Sequence, residues 1–326
     1  MLTDTRSFDL AHAHLEDYLD TNIFPARLEV TDSQVLQDAL AAGKLAPETR
    51  LLTFEVENVL YAFPMTVVLS YNVIQGHISP EKPWLMTFCN ACNTGMVFDP
   101  VVDGKPLHFR RRGAYEGLLL IWDEETATYW QHITGEALYG SSQGKRIRQI
   151  TNTRQMTAAE AAARPVRSLL LDSPLTPAQQ QLVRITERMR ANPETMPGIS
   201  ETIGEEDTRR PRFELGLGVW SGTGSMFFPL VALHTVDNVL RSTFGGHPLI
   251  VYQSPEAVSP SAVYLNSRTA YWEGSTLRLD NGAFIRDDEY YTSDGVAQPL
   301  ARPNQLLMRW YGFAQTFPNP ALPAAS

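Results

Sequence analysis

Cys89 and Cys92 are the only two cysteines of this 326-residue chain, and both lie in residues 83–100, PWLMTFCNACNTGMVFDP. Two thiols at this spacing can close on one metal ion or on each other. Metal binding, a dithiol redox or nucleophilic role, and a purely structural pair are all open to such a motif. One CxxC provides half of a structural zinc site, so a tetrahedral metal centre here needs His or carboxylate ligands from elsewhere. His132, in Tyr129-Trp130-Gln131-His132, is the first candidate for a third ligand or a general base. Its plain alternative is a strand histidine bonded to backbone. Thr94, Asp99 and Trp130 form the expected supporting shell, in contact with a cofactor or ligand. Against that, Asp99 precedes Pro100 as a turn residue would, and aromatic residues on strands usually fill cores. His108, flanked by Leu107 and Phe109, points away from both and reads as a surface residue. His77 reads as a loop residue that could fold over the cysteines, and Gly95 as free to take positive φ in a knuckle-like turn.

The elements that position these residues are mostly strands. Residues 51–56 and 59–63 read as a hairpin turned at Glu57-Asn58, followed by a helix with Pro64 in its first turn. The strand 84–88, the CxxC turn and the strand 96–98 come next, then a hairpin at Asp103-Gly104 and strands over 118–122 and 128–132. An Ala-rich helix over 158–163 and a polar helix from Thr176-Pro177 to about Asn192 follow, and the Pro-, Gly- and charge-rich stretch 193–211 reads as a linker. Beyond it the order of elements repeats. Tyr61-Ala62-Phe63-Pro64-Met65 aligns with Met226-Phe227-Phe228-Pro229-Leu230, and in the same register Cys89 falls opposite Ser254 and Cys92 opposite Ala257. This suggests a duplication in which only the first copy kept thiols.

Phe63-Pro64-Met65, Thr87-Phe88-Cys89-x-x-Cys92-Asn93-Thr94-Gly95-x-x-Phe98-Asp99, and Trp130 with Thr134-Gly135-Glu136-Ala137 together resemble the prokaryotic family known as domain of unknown function 3179. The resemblance covers about residues 28–155, with the second half a degenerate version of the same unit. Relatives commonly carry Pro after the first Cys, where this chain has Asn90, and Trp-His-Glu after the Pro-started helix, where it has Ser70-Tyr71-Asn72. The family brings no activity with it, so the resemblance bears on fold and site.

A net charge of −9, without any Lys/Arg-rich stripe beyond Arg110-Arg111-Arg112, argues against nucleic acid and anionic membrane as partners. Asp4, Asp9, Glu16 and Asp17 occupy the region where an export signal needs a basic start and an apolar run, and no apolar segment approaches membrane-spanning length. A soluble cytoplasmic protein is expected, in which a CxxC is reduced, metal-binding or redox-active rather than a permanent staple. P-loop, GxGxxG, GxSxG, HExxH and CxxCH signatures are all missing.

The expected fold is α+β, mainly β: two related sheet-rich halves with peripheral helices, divided as an N-terminal unit 1–156, a helical connector and linker 157–212, and a thiol-free second copy 213–326. The expected function is a CxxC-centred metal or dithiol site acting on a small molecule, redox favoured over hydrolysis. Cys89, Cys92 and His132 would be its catalytic or metal-ligating residues and one transition-metal ion its cofactor. A non-catalytic metal- or ligand-binding protein, or a scaffold stapled at its CxxC turn, is the alternative. Oligomeric state is not legible.

Overall fold

Short apolar runs bounded by turn residues dominate the chain, and they become strands. In the computed structural model, which describes residues 8–16 and 25–323, 43% is strand and 17% helix, the mainly β, α+β class expected. After three short strands and the helix Leu36–Ala41, the first half forms the hairpin Arg50–Val56/Val59–Pro64. Its turn residues Glu57 and Asn58 have φ of 52° and 62°, the left-handed pair whose twist suits a two-residue hairpin. The second strand leads directly into the helix Met65–Tyr71, with Pro64 as its N-cap rather than inside its first turn. Asn72 ends that helix in the left-handed conformation, φ 60°.

A sheet ordered Arg148–Asn152, Thr94–Asp99, Lys82–Cys89, Val73–Ser79, Leu28–Glu29 carries the CxxC turn at one end. A second, ordered Ala13–Leu15, Phe109–Tyr115, Leu118–Asp123, Tyr129–Gln131, Ala137–Tyr139, delivers His132 at the end of its fourth strand. Its edge strand Ala13–Leu15 belongs to the N-terminal stretch 1–31, parts of which, including Asp4 and Asp17, lie outside the described residues.

The second half retraces the first. Leu215–Ser221 and Gly224–Pro229 form a hairpin, Pro229 caps the helix Leu230–His234, and the strands Val239–Phe244 and His247–Tyr252 follow. The correspondence reaches single hydrogen bonds. Phe88 N–H donates to Asn72 O at 2.8 Å, and Gln253 N–H to Asn238 O at 3.0 Å, with Asn238 at φ 59°. Each half also ends with a strand paired back on its first: Arg154–Thr157 on Arg50–Val56, and Asn304–Arg309 on Leu215–Ser221.

Each closing strand runs into a short helix, Ala158–Ala163 or Trp310–Thr316, and each packs beside the other half's turn. Arg309 N–H donates to Cys92 O at 3.0 Å, and Gln155 N–H to Ser259 Oγ at 3.2 Å. The halves therefore share one core, in which Cys92, Phe98 and Trp130 lie with Met308, Trp310 and Phe313. The stretch 193–211, expected as a linker, joins this core through Met196 and Ile199, because its apolar residues find a surface to cover. Among the described residues no helix is long and apolar enough to cross a membrane.

Candidate functional site

The CxxC turn connects Lys82–Cys89 to Thr94–Asp99, and its geometry follows from a hairpin that must reverse in four residues. Asn93, not Gly95, takes the left-handed conformation, φ 62°, and Asn93 N–H closes the turn on Cys89 O at 2.9 Å. Gly95 serves close approach instead, since a Cβ there would fall 2.3 Å from Thr87 O. Cys92 N–H donates to Cys89 Sγ at 3.2 Å, so the turn aims backbone polarity at the first sulfur. The two sulfurs are joined as a disulfide, with Cα atoms 5.5 Å apart, inside the span such a bond requires. In this oxidised pair neither sulfur is a thiolate, so ligating a metal would require prior reduction.

His132 lies behind the turn. Its Nε2 is 3.6 Å from Cys92 Sγ, and one ligand atom each from Cys89, Cys92 and His132 lies within 4.8 Å of the others. The ring is fully buried and Nδ1 has no hydrogen-bond partner. Burial alone disfavours the imidazolium and pushes the group down to about 3, so the imidazole is neutral.

The two cysteines face different surroundings. Cys92 is enclosed by the shared core, where a Cβ on Gly312 would come within 3.0 Å of its own Cβ. Cys89, with Asn90 and Ala91, lines a cavity of about 350 Å³. Leu182, Ile185 and Met189 of the helix Pro177–Ala191 form its apolar wall. A polar chain runs along its other side. Glu16 accepts from Arg111 at 2.6 Å, Arg111 Nη1 donates to Asn72 Oδ1 at 3.0 Å, and Asn72 Nδ2 donates to Asn90 Oδ1 at 2.9 Å. Arg190 adds positive charge at the turn: it donates to Asn93 Oδ1 and stacks 5.6 Å from the Phe88 ring centre. Burial and the neighbouring Arg309 lower it to about 10, which leaves it charged at neutral pH.

The remaining residues singled out from the sequence are distributed as follows. Thr94 is buried opposite Cys89 in the hairpin register. Trp130 is fully buried in the same core as the cysteines, with its indole N–H donating to Asp123 Oδ2 at 2.8 Å. Asp99 is not brought to the site. It stands at the far end of Thr94–Asp99, about 16 Å along the strand, and accepts from Val101 N–H and Arg148. His108 is exposed and pairs with Glu125, and His77 is exposed on a strand rather than in a loop over the cysteines. Asn72, noted only as a departure from the family pattern, Arg111, noted only within a basic run, and the helix wall are not read as site residues from the sequence. The spacing of Leu182, Ile185 and Met189 on one helical face was the available signal.

A match to the family described as "Protein of unknown function (DUF3179)" covers residues 28–318, so it spans both halves, and the chain belongs to that family. No curated protein and no solved structure matches it.

Proposed function

We propose that the CxxC turn is a dithiol–disulfide centre acting on a small thiol- or disulfide-bearing molecule, with Cys89 as the sulfur that meets substrate and Cys92 as the one that resolves it. The observation that carries this reading is the asymmetry of the pair. Both are buried in one core, but Cys89, 3% exposed, borders the cavity, whereas Cys92, 0% exposed, is sealed against His132 Nε2. Starting from the reduced form, the Cys89 thiolate attacks one sulfur of a substrate disulfide and the other sulfur leaves as a thiolate. Cys92 then gives its proton to His132 and attacks the Cys89 sulfur, which releases the second thiolate. The substrate gains two electrons and the protein ends as the Cys89–Cys92 disulfide.

A buried imidazolium is costly alone, so proton transfer to His132 is coupled to formation of the Cys92 thiolate beside it, as an ion pair. The Cys92 N–H, which donates to Cys89 Sγ, favours anionic sulfur in the same way. The Cys92→Ser variant, reduced and mixed with an aromatic disulfide, is expected to hold a stable mixed disulfide at Cys89 by mass spectrometry. Equal trapping at Cys92 in Cys89→Ser contradicts the assignment.

A second reading rests on the closeness of the three donor atoms. In the reduced state Cys89, Cys92 and His132 supply a Cys₂His set suited to zinc, with a fourth position open to a ligand, and such a metal would act as a Lewis acid. The unpartnered Nδ1 speaks against it, because ligating histidines normally donate that N–H to an orienting acceptor. Elemental analysis of the reduced, untagged protein separates the two readings.

A further inference from the structure

The thiol-free half has a cavity at the position that duplicates the CxxC turn. The equivalence of Gln253 with Phe88, fixed by their matching bonds to Asn238 and Asn72, places Ser254 where Cys89 stands. Ser254 and Ala257 make a turn of their own, Ala257 N–H donating to Ser254 O at 2.9 Å. Both residues line a cleft of about 370 Å³, just as Cys89 lines the cavity of the first half. Its opposite wall is the closing strand and helix of the first half, which contribute Arg154, Met156 and Arg164.

The polar groups of this cleft are unevenly satisfied. Its partly buried acids are already occupied: Glu160 accepts from Thr157 N–H and Val258 N–H, and Asp288 from Arg154, Arg302 and the Tyr252 hydroxyl. The buried side-chain polar atoms of its lining that remain without partners are all donors: Arg154 Nε, Arg164 Nε and Trp272 Nε1. Arg164 is nine-tenths buried, with 10% of its side chain exposed. A buried N–H without an acceptor is destabilising, and an incoming acceptor recovers that cost. Trp272, Met156 and Ile285 offer apolar surface beside these donors, and the exposed carboxylates of Glu256 and Asp287 at the mouth disfavour a polyanion.

We propose that this cleft is a second, thiol-free binding site that takes a small molecule with an apolar or aromatic body and one acidic group, carboxylate or phosphate, held by Arg154, Arg164 and Trp272. With Ser254 and Ala257 in place of cysteines the site binds without thiol chemistry. It stands on the cleft's own geometry and does not depend on the reaction assigned to the first half.

The test is titration with benzoate and, separately, inorganic phosphate, read by calorimetry on wild type, Trp272→Phe and the Cys89→Ser/Cys92→Ser variant. Saturable binding of either probe to wild type is expected, about tenfold weaker in Trp272→Phe, which removes the indole N–H together with part of the ring surface, and unchanged in the double serine variant. The tighter probe identifies the acidic group. Arg164→Lys, which keeps the charge but loses the fork, should weaken binding in the same direction and checks the result should Trp272→Phe fold poorly. No saturable binding of either probe overturns the proposal. So does binding that is lost in the double serine variant but unaffected in Trp272→Phe, since that assigns the probe to the cysteine cavity.

Discussion

His132 illustrates what one buried polar atom contributes. Its imidazole is neutral when folded, held down to about 3 by burial, whereas in the unfolded chain it titrates near 6.5. Below that value the unfolded state binds a proton that the folded state refuses, so stability falls as pH drops from about 6.5 toward 3, by about 1.4 kcal/mol per unit. Replacing the ring by His132→Leu should remove this part of the acid slope in urea denaturation at pH 7, 5 and 4. An unchanged slope would mean that the ring is solvated. The cysteines and His132 were legible from the sequence because few residue types can do this chemistry and they sit on strands that meet. Asp99 was misjudged for a geometric reason. An extended strand carries its end far from the turn that starts it, so nearness in sequence gave distance in space. The role of Asn72 is not legible in the sequence because it depends on a left-handed helix end that presents its amide to Asn90.

Among the elements, the helix Pro177–Ala191 is the one that walls the cavity beside the buried Cys89. A capping box at Thr176 and Gln179 starts it, as the sequence pattern indicates, and its apolar face covers the cavity over Cys89. Ile185 lies at the edge of that face with 37% of its surface exposed. Ile185→Lys should therefore change stability by less than about 0.5 kcal/mol while slowing trapping of an aromatic disulfide at Cys89. A variant that traps at the wild-type rate would show that substrate reaches Cys89 by another route. The hairpins, the Pro-capped helices and both capped helices could be read from turn and capping residues. The stretch 193–211 could not, because its packing depends on a surface assembled from both halves.

At the scale of the whole molecule, the repeat of elements is more complete in space than in sequence. Few identities align, yet hairpin, capped helix, left-handed asparagine and returning strand recur in order, and each half's closing helix covers the other's turn. Asp288 ties the halves together. It follows Asp287 in a hairpin turn, both at positive φ, and meets Arg154 and Arg164 of the first half and Arg302 of the second. Burial raises its carboxyl, but the three guanidinium groups and the Tyr252 hydroxyl outweigh burial and hold it well below the usual carboxylate range. Its contribution is therefore complete above about pH 4 and lost as pH falls through the depressed value. Asp288→Asn leaves three partly buried cations short of an anion, and a loss of about 2–3 kcal/mol is expected, in one transition that melts both halves together. Two resolved transitions in calorimetry would show instead that the halves fold independently.

The asymmetry between Cys89 and Cys92 is the central claim, and site-resolved alkylation of the reduced protein measures it most directly. With limiting iodoacetamide and peptide mass spectrometry over time, Cys89, which borders the cavity, should be modified first, by about tenfold or more over the enclosed Cys92. Equal rates, or faster modification of Cys92, would contradict the account.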